Sequence, residues 1–254
     1  MPRTLVGTAG WSLPPREQPR FPGDGSHLQR YAREFNAVEI NSTFHRPHRS
    51  ATFERWAASV PAAFRFSVKM PRTITHDSRL AGARPLVDAF LQQVAPLGKR
   101  LGCLLIQLPP KLELDLRVAR AFFDHLRDAF EGDVVLEPRH ASWFTPAADR
   151  MLVRLRVARV AADPPRAPQG FEPGGWTGLA YYRLHGSPRV YYSSYEDDFL
   201  DALAARLDAL QRSGIPAWCI FDNTTLGAGT GNALALTARL ASPKTKGRRV
   251  RPAF

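Results

Sequence analysis

Eight short apolar runs punctuate the chain, and nearly all of them end in a cluster of polar residues. The runs are Thr4–Gly7, Ala37–Ile40, Phe64–Val68, Cys103–Leu108, Val134–Glu137, Ala158–Ala162, Ala180–Leu184 and Ala217–Phe221. Their spacing averages about 30 residues, the length of one βαβ unit. Most of the intervening stretches carry helical periodicity. Ser26 and Gln29 read as a capping box ahead of the stripe Leu28, Tyr31, Ala32 and Phe35. Pro85 suits a first helical turn before Leu86, Phe90, Leu91 and Val94, and Val118, Phe122, Leu126 and Ala129 repeat the pattern. Ser194 with Asp197 reads as the cap of a helix carrying Phe199, Leu203, Leu207 and Leu210, and Asn232–Leu240 forms the last helix. Strands alternating with helices call for a parallel sheet, and eight units in 254 residues favour a TIM-type (β/α)8 barrel. Residues 1–240 are expected to form this single domain, followed by a flexible basic tail over 241–254.

A barrel of that kind places every strand's C-terminal end on one face. Trp11, Asn41, Lys69, Gln107, Arg139, His140, Asp163, His185, Asp222 and Asn223 would then share one mouth. Two Pro- and Gly-rich segments break the rhythm: Trp11–Gly25, and Asp163–Gly178 after the sixth strand. The second is expected to be a long loop on the strand-end face, where such loops often act as lids.

Bulk composition narrows the function classes. No apolar run approaches the roughly 20 residues of a membrane span. Met1-Pro2-Arg3-Thr4 leads straight into a strand, so no signal peptide is expected. Cys103 and Cys219 lie inside apolar runs and read as buried thiols of a reducing, cytoplasmic compartment. The net charge of +12 invites a polyanionic partner, but Lys244, Lys246, Arg248, Arg249 and Arg251 supply five of those charges from the tail alone.

The strand-end motifs come in a fixed order. They are Gly7-Thr8-Ala9-Gly10-Trp11, Val38-Glu39-Ile40-Asn41-Ser42-Thr43-Phe44, Phe64-Arg65-Phe66-Ser67-Val68-Lys69, Gln107-Leu108-Pro109-Pro110, Glu137-Pro138-Arg139-His140-Ala141-Ser142-Trp143, Tyr182-Arg183-Leu184-His185-Gly186 and Phe221-Asp222-Asn223-Thr224. In this order and spacing, over almost the whole chain, they resemble the YecE-like proteins, domain-of-unknown-function family 72. The resemblance implies a TIM-type barrel and no particular reaction. It departs from the family pattern at Asp222, where Asn is usual.

Taken on their own terms, the residues offer several chemistries. Glu39 and Glu137 sit within strands, and a carboxylate turned toward the helical layer would be buried at high cost. In the mouth they could act as general acid and base, ligate a divalent metal, or form a structural ion-pair layer with Lys69, Arg139 and Arg183. His140, His185 and Asp222 are further catalytic candidates, and His76 is another histidine of interest. The chain has no HExxH or CxxC spacing that would fix a metal site. Lys69, Arg139 and Arg183 together favour an anionic ligand. Gly227, Gly229 and Gly231 precede the last helix, where many TIM barrels hold phosphate. Trp11, Phe44, Trp143, Trp176 and Tyr191 could ring the mouth as stacking surfaces. Substrate-binding candidates are therefore Trp11, Asn41, Lys69, Gln107, Arg139, Trp143, Arg183, Asn223 and Gly229.

Three functions compete. The first is an enzyme acting on a phosphate-bearing substrate by acid–base or metal-assisted chemistry. The second is a nucleic-acid or nucleotide binding module. The third is a scaffold whose polar mouth only packs.

Overall fold

A computed structural model describes residues 4–241, so all of the basic tail beyond Ala241 lies outside the described residues. The strands are β1 Thr4–Thr8, β2 Ala37–Ile40, β3 Arg65–Lys69, β4 Leu101–Gln107, β5 Asp133–Glu137, β6 Val157–Arg159, β7 Ala161–Asp163, β8 Gly174–Gly175, β9 Ala180–Leu184 and β10 Ala217–Phe221. The helices are α1 His27–Glu34, α2 Ser50–Ala58, α3 Arg84–Val94, α4 Leu116–Ala129, α5 Pro146–Arg154, α6 Asp197–Arg212 and α7 Ala228–Ala241. The fold is α/β with parallel strands, but the expected single ring is not one continuous ladder. The strands divide into two sheets, ordered β1-β10-β9-β7 and β2-β3-β4-β5-β6-β8. Every pairing is parallel except that of β8, which runs antiparallel to β6.

The two seams between the sheets have different physical origins. The expected sixth strand bends at Val160. Its first half pairs with β5, and Val160 N–H still reaches the Leu136 carbonyl at 2.9 Å. Its second half, β7, pairs with β9. At the other seam, side chains stand in for a backbone ladder between β1 and β2. Asn36 Oδ1 accepts from Val6 N–H at 2.8 Å, and its Nδ2 donates to the Thr4 carbonyl at 3.0 Å. The buried Tyr31 hydroxyl accepts from Thr8 N–H at 2.8 Å and donates to the Ala37 carbonyl at 3.1 Å. Backbone bonding joins the strands at the parallel bridge between Ala9 and Glu39, where Gly10, at φ 84°, donates to the Glu39 carbonyl at 2.9 Å. These bonds satisfy strand-edge groups that would otherwise be buried without partners.

Strand alternation sorts the core into two zones. The outer zone joins the sheets to the helices through residues such as Val38, Ile40, Phe66, Val68, Leu104, Leu136 and Phe221. The inner zone draws Ala37, Cys103, Leu105, Val135, Ala158, Tyr181, Trp218 and Ile220 from both sheets into one apolar group. The sheets therefore face each other across a filled interior.

Several local expectations hold, including the Ser26–Gln29 capping box and the helices α3 and α4. Others change. Helix α6 begins at Asp197 with no side-chain cap, because Ser194 Oγ instead bonds Asn232 Oδ1 at 3.3 Å. Helix α7 begins at Ala228, so Asn232 lies inside it rather than capping it. The segment Asp163–Gly178 is not a strand-end loop throughout. It returns toward the opposite face, where Gly175 pairs with Ala158 and Trp176 N–H donates to the Val157 carbonyl at 3.0 Å.

Gly7 sits at the side-chain seam. A Cβ there would strike the Ala37 carbonyl and come within 2.9 Å of the Tyr31 hydroxyl. Gly7→Ala should therefore lower stability by about 1–3 kcal/mol in urea denaturation, the usual cost of overpacking. An unchanged midpoint would show that the seam has slack.

Candidate functional site

The inward faces of β2, β5 and β9 change character along their length. Ala37, Val135 and Tyr181 lie in the inner apolar group, and toward the C-terminal end these faces carry charge. On β9, Tyr181 and Arg183 share the inward face, and His185 continues it two residues on. On β2 the inward position is Glu39, on β3 it is Ser67 and then Lys69, and on β5 it is Glu137, followed by Arg139.

Arg183 is fully buried and joins these strands. Its Nε and Nη2 grip the two oxygens of Glu39 at 2.9 and 2.8 Å. Nη1 donates to Glu137 Oε2 at 3.0 Å, and Nη2 also lies 3.0 Å from Asp222 Oδ2. Tyr181 adds its hydroxyl, 3.3 Å from Glu39 and 2.9 Å from Ser67 Oγ. Arg139 binds the remaining oxygen of Glu137, with Nη2 at 2.6 Å. His185 sits between two carboxylates, with Nδ1 at 3.0 Å from Asp222 Oδ2 and Nε2 at 3.0 Å from Glu137 Oε1. Arg139 Nη2 lies 3.1 Å from the same Nε2.

This network sets the charges. Burial by itself would raise the pKa of Glu137, but Arg139, His185 and Arg183 outweigh it and hold the carboxyl well below the usual carboxylate range. The same contest, between burial and the charge of Arg183, leaves Asp222 lowered. Burial opposes the charge on Arg183, yet Asp222, Glu39 and Glu137 together hold its guanidinium firmly protonated.

Lys69 differs from its neighbours. It is only 7% exposed, yet its ammonium group makes no ion pair or hydrogen bond among the described residues. It lies over the Phe44 ring, 4.2 Å from the centroid. Burial first, and then the positive charge of Arg183, lowers its pKa to about 8, although Glu39, Asp222 and Glu137 pull the other way. The turn Asn41–Phe44 packs on its backbone, where Thr43 Oγ1 donates to the Lys69 carbonyl at 2.6 Å. Asn41 ends β2 with a buried Oδ1 that has no hydrogen-bond partner.

The remaining candidates are less closely gathered. His140 is half-buried and caps its own turn, accepting from Ser142 N–H at 3.3 Å. Trp11 packs edge-on against Trp56 at 4.9 Å. Gln107 ends β4 beside Glu137 in register and is half-buried. Trp143 is 1% exposed, and its indole N–H is spent on the Leu112 carbonyl at 2.9 Å, so it packs the core and offers no stacking face. Asn223 is buried and donates to the Ser193 carbonyl and to Asn232 Oδ1 at 2.8 and 2.9 Å. Gly229 is enclosed rather than open to a ligand: its N–H donates to the Asn223 carbonyl at 2.9 Å, and a Cβ would meet Asn223 Oδ1 at 2.9 Å. Trp176 lies near the N-terminal strand ends, whereas Tyr191 meets His185 edge-on at 5.8 Å.

The divalent metal considered from sequence finds no donor set here. Among the described residues, no group of three His, Cys, Asp or Glu side chains is arranged to hold an ion. The reason is the occupancy of the carboxylates: Arg183 stands where their oxygens converge.

A family model described as "Protein of unknown function DUF72" matches residues 5–253. The chain belongs to the DUF72 family. It is 34% identical over 158 residues to the UPF0759 protein YecE of Escherichia coli strain K12, covering 59% of this chain and 57% of YecE. It is 26% identical over 149 residues to the UPF0759 protein YunF of Bacillus subtilis strain 168, covering 56% of this chain and 52% of YunF. These matches thus span little more than half the length of either relative. Among solved structures, a DUF72 protein of Enterococcus faecalis V583 matches with a TM-score of 0.79 at 20% identity, covering 95% of this chain and 97% of that one. A DUF72 protein of Thermotoga maritima MSB8 matches with a TM-score of 0.76 at 24% identity, covering 94% and 99%. Both share the fold. No helix among the described residues is long and apolar enough to cross a membrane.

Removing the charge of Glu137 should expose the network's energetics. Its pKa is depressed on folding, so its contribution is complete above the ordinary value of 4.5 and fades as pH falls through the lower folded value. Glu137→Gln should cost about 3–5 kcal/mol at pH 7, because a buried arginine loses its partner. In denaturation curves the gap between wild type and variant should close steadily below pH 4.5. A gap that stays constant from pH 7 to pH 3 would contradict this charge assignment.

Proposed function

We propose that the protein is an enzyme that binds a small anionic, phosphate-bearing substrate at the C-terminal ends of its parallel strands and acts on it by acid–base chemistry. In this reading the two sheets work as one TIM-type ring, with the bend at Val160 and the side-chain seam at Asn36 and Tyr31 as its joints. The observation that carries the reading is the unpaired ammonium group of Lys69. The carboxylates of Glu39, Glu137 and Asp222 are paired with the guanidinium groups of Arg183 and Arg139. Among the described residues, Lys69 is then a strand-end cation left free to receive a negative charge.

Roles follow from that division. Glu39, Glu137 and Asp222 act as positioning residues that hold Arg183, Arg139 and His185. Lys69 is the group that touches substrate, with the orphan acceptor of Asn41 beside it on the neighbouring strand end. A lysine with a pKa of about 8 can both bind an anion and exchange a proton near neutral pH. The free, buried thiols Cys103 and Cys219 favour a reducing cytoplasm.

Isothermal titration with inorganic phosphate and pyrophosphate tests the reading. Wild type should bind, more weakly as pH rises through about 8, where Lys69 loses its charge. Lys69→Met should weaken binding at least tenfold, about 1.4 kcal/mol. Affinity unchanged in Lys69→Met would remove the reading. If an oligonucleotide binds instead, with affinity that falls steeply with salt and survives Lys69→Met, the nucleic-acid alternative takes its place.

A further inference from the structure

The chain contains five lysines against thirty arginines. Arginine supplies the cations of the strand-end network, and lysine appears there at position 69. The two side chains differ in one respect that matters here: arginine stays protonated in proteins, whereas lysine can become a free amine and a nucleophile.

We propose that Lys69 is a carbonyl-reactive amine, which forms a Schiff base with an aldehyde or ketone on the phosphate-bearing substrate. The proposal rests on the anion-binding reading and specifies its substrate class. Three features of geometry support it. The Lys69 side chain is enclosed but its nitrogen has no partner among the described residues, so its lone pair is not tied up once the proton leaves. Phe44 covers one side of it at 4.2 Å and excludes water there. A π-helical turn at Thr73–Asp77, a feature common at functional sites, brings His76 edge-on against the Phe44 ring, with ring centroids 4.9 Å apart. Thr75 Oγ1 lies 2.9 Å from His76 Nδ1, and Nε2 makes no hydrogen bond among the described residues.

The charged groups that govern Lys69 come from β2, β5, β9 and the residue after β10: Arg183 opposes the ammonium form, and Glu39, Asp222 and Glu137 favour it. Burial, followed by the charge of Lys69, keeps His76 below its ordinary value and therefore a neutral base at pH 7.

The step balances without an oxidant. The amine lone pair forms a bond to the carbonyl carbon, and the C=O π pair moves to oxygen, which takes a proton. The oxygen's proton is the one the nitrogen gives up, carried across by His76; a second proton, from solvent, turns the hydroxyl into water, which leaves as the nitrogen lone pair completes the C=N bond. Amine, carbonyl and one proton become protonated imine and water.

Reductive trapping tests the proposal. The full chain is incubated at pH 7.4 with glyceraldehyde 3-phosphate and sodium cyanoborohydride, and each lysine's adduct is followed by peptide mass spectrometry. Lys99 and Lys111 are exposed and serve as internal standards. An amine with a pKa near 8 carries on the order of a hundred times more free base at this pH than one near 10.5. Lys69 should be labelled at least ten times faster than either standard, and the adduct at position 69 should be absent from Lys69→Arg. Labelling of Lys69 no faster than that of Lys99 and Lys111 overturns the proposal. If phosphate still binds in that case, the anion-binding reading stands without it. Fast trapping by unphosphorylated glyceraldehyde in a protein that binds no phosphate would instead retain the amine and remove the anion reading.

Discussion

The site depends on one buried guanidinium. Arg183 touches carboxylates from β2, from β5 and from the residue after β10, and so ties the strand ends of both sheets to a single point. Isolated burial of such a charge is prohibitive, and the balance holds only because the fork of donors is matched by three acceptors. The same contacts consume the carboxylates. Glu39 and Glu137 therefore serve the site as fixed negative walls, and the freedom to bind or to exchange protons passes to Lys69. The field of Arg183 also acts directly on that lysine, because its positive charge adds to burial in lowering the pKa.

The fold supplies this arrangement in layers. Below the ionic layer, Tyr181 and Trp218 stack at 5.8 Å within the inner apolar group, and Tyr181 carries its hydroxyl up to Glu39. The apolar layer keeps water from beneath the charges and strengthens each interaction above it. The side-chain seam matters for the same reason. Asn36 and Tyr31 hold β1 against β2, which sets Glu39 opposite the end of β1. A slip there would shift the carboxylate that grips Arg183 most closely.

Much of this was legible in the chain. Period-two alternation puts Tyr181, Arg183 and His185 on one face of one strand, and the same rule applied to Glu39, Lys69 and Glu137 brings them together. Tyr181 and Ser67 passed unnoticed because each reads as ordinary strand filler, although alternation placed them with Arg183 and Lys69. The two-sheet division was not legible, since Ala158–Ala162 carries no break signal at Val160 and the seam bonds of Asn36 and Tyr31 come from outside the strands. Trp143 and Gly229 looked like ligand contacts by position. Burial decided otherwise for both, and burial is a tertiary property. The carboxylates follow a related logic: sequence shows which metal donors exist, but not that a guanidinium already stands between them.

The central claim is that the Arg183 network leaves Lys69 desolvated and without an ion-pair partner among the described residues. The most direct measurement is the titration of its side-chain nitrogen by NMR in protein labelled with 15N-lysine, where five lysines give a tractable spectrum. A midpoint near 8 for Lys69 is the predicted result. A midpoint at the ordinary value of 10.5 would mean that Lys69 is solvated or paired, and the account of the site would be wrong.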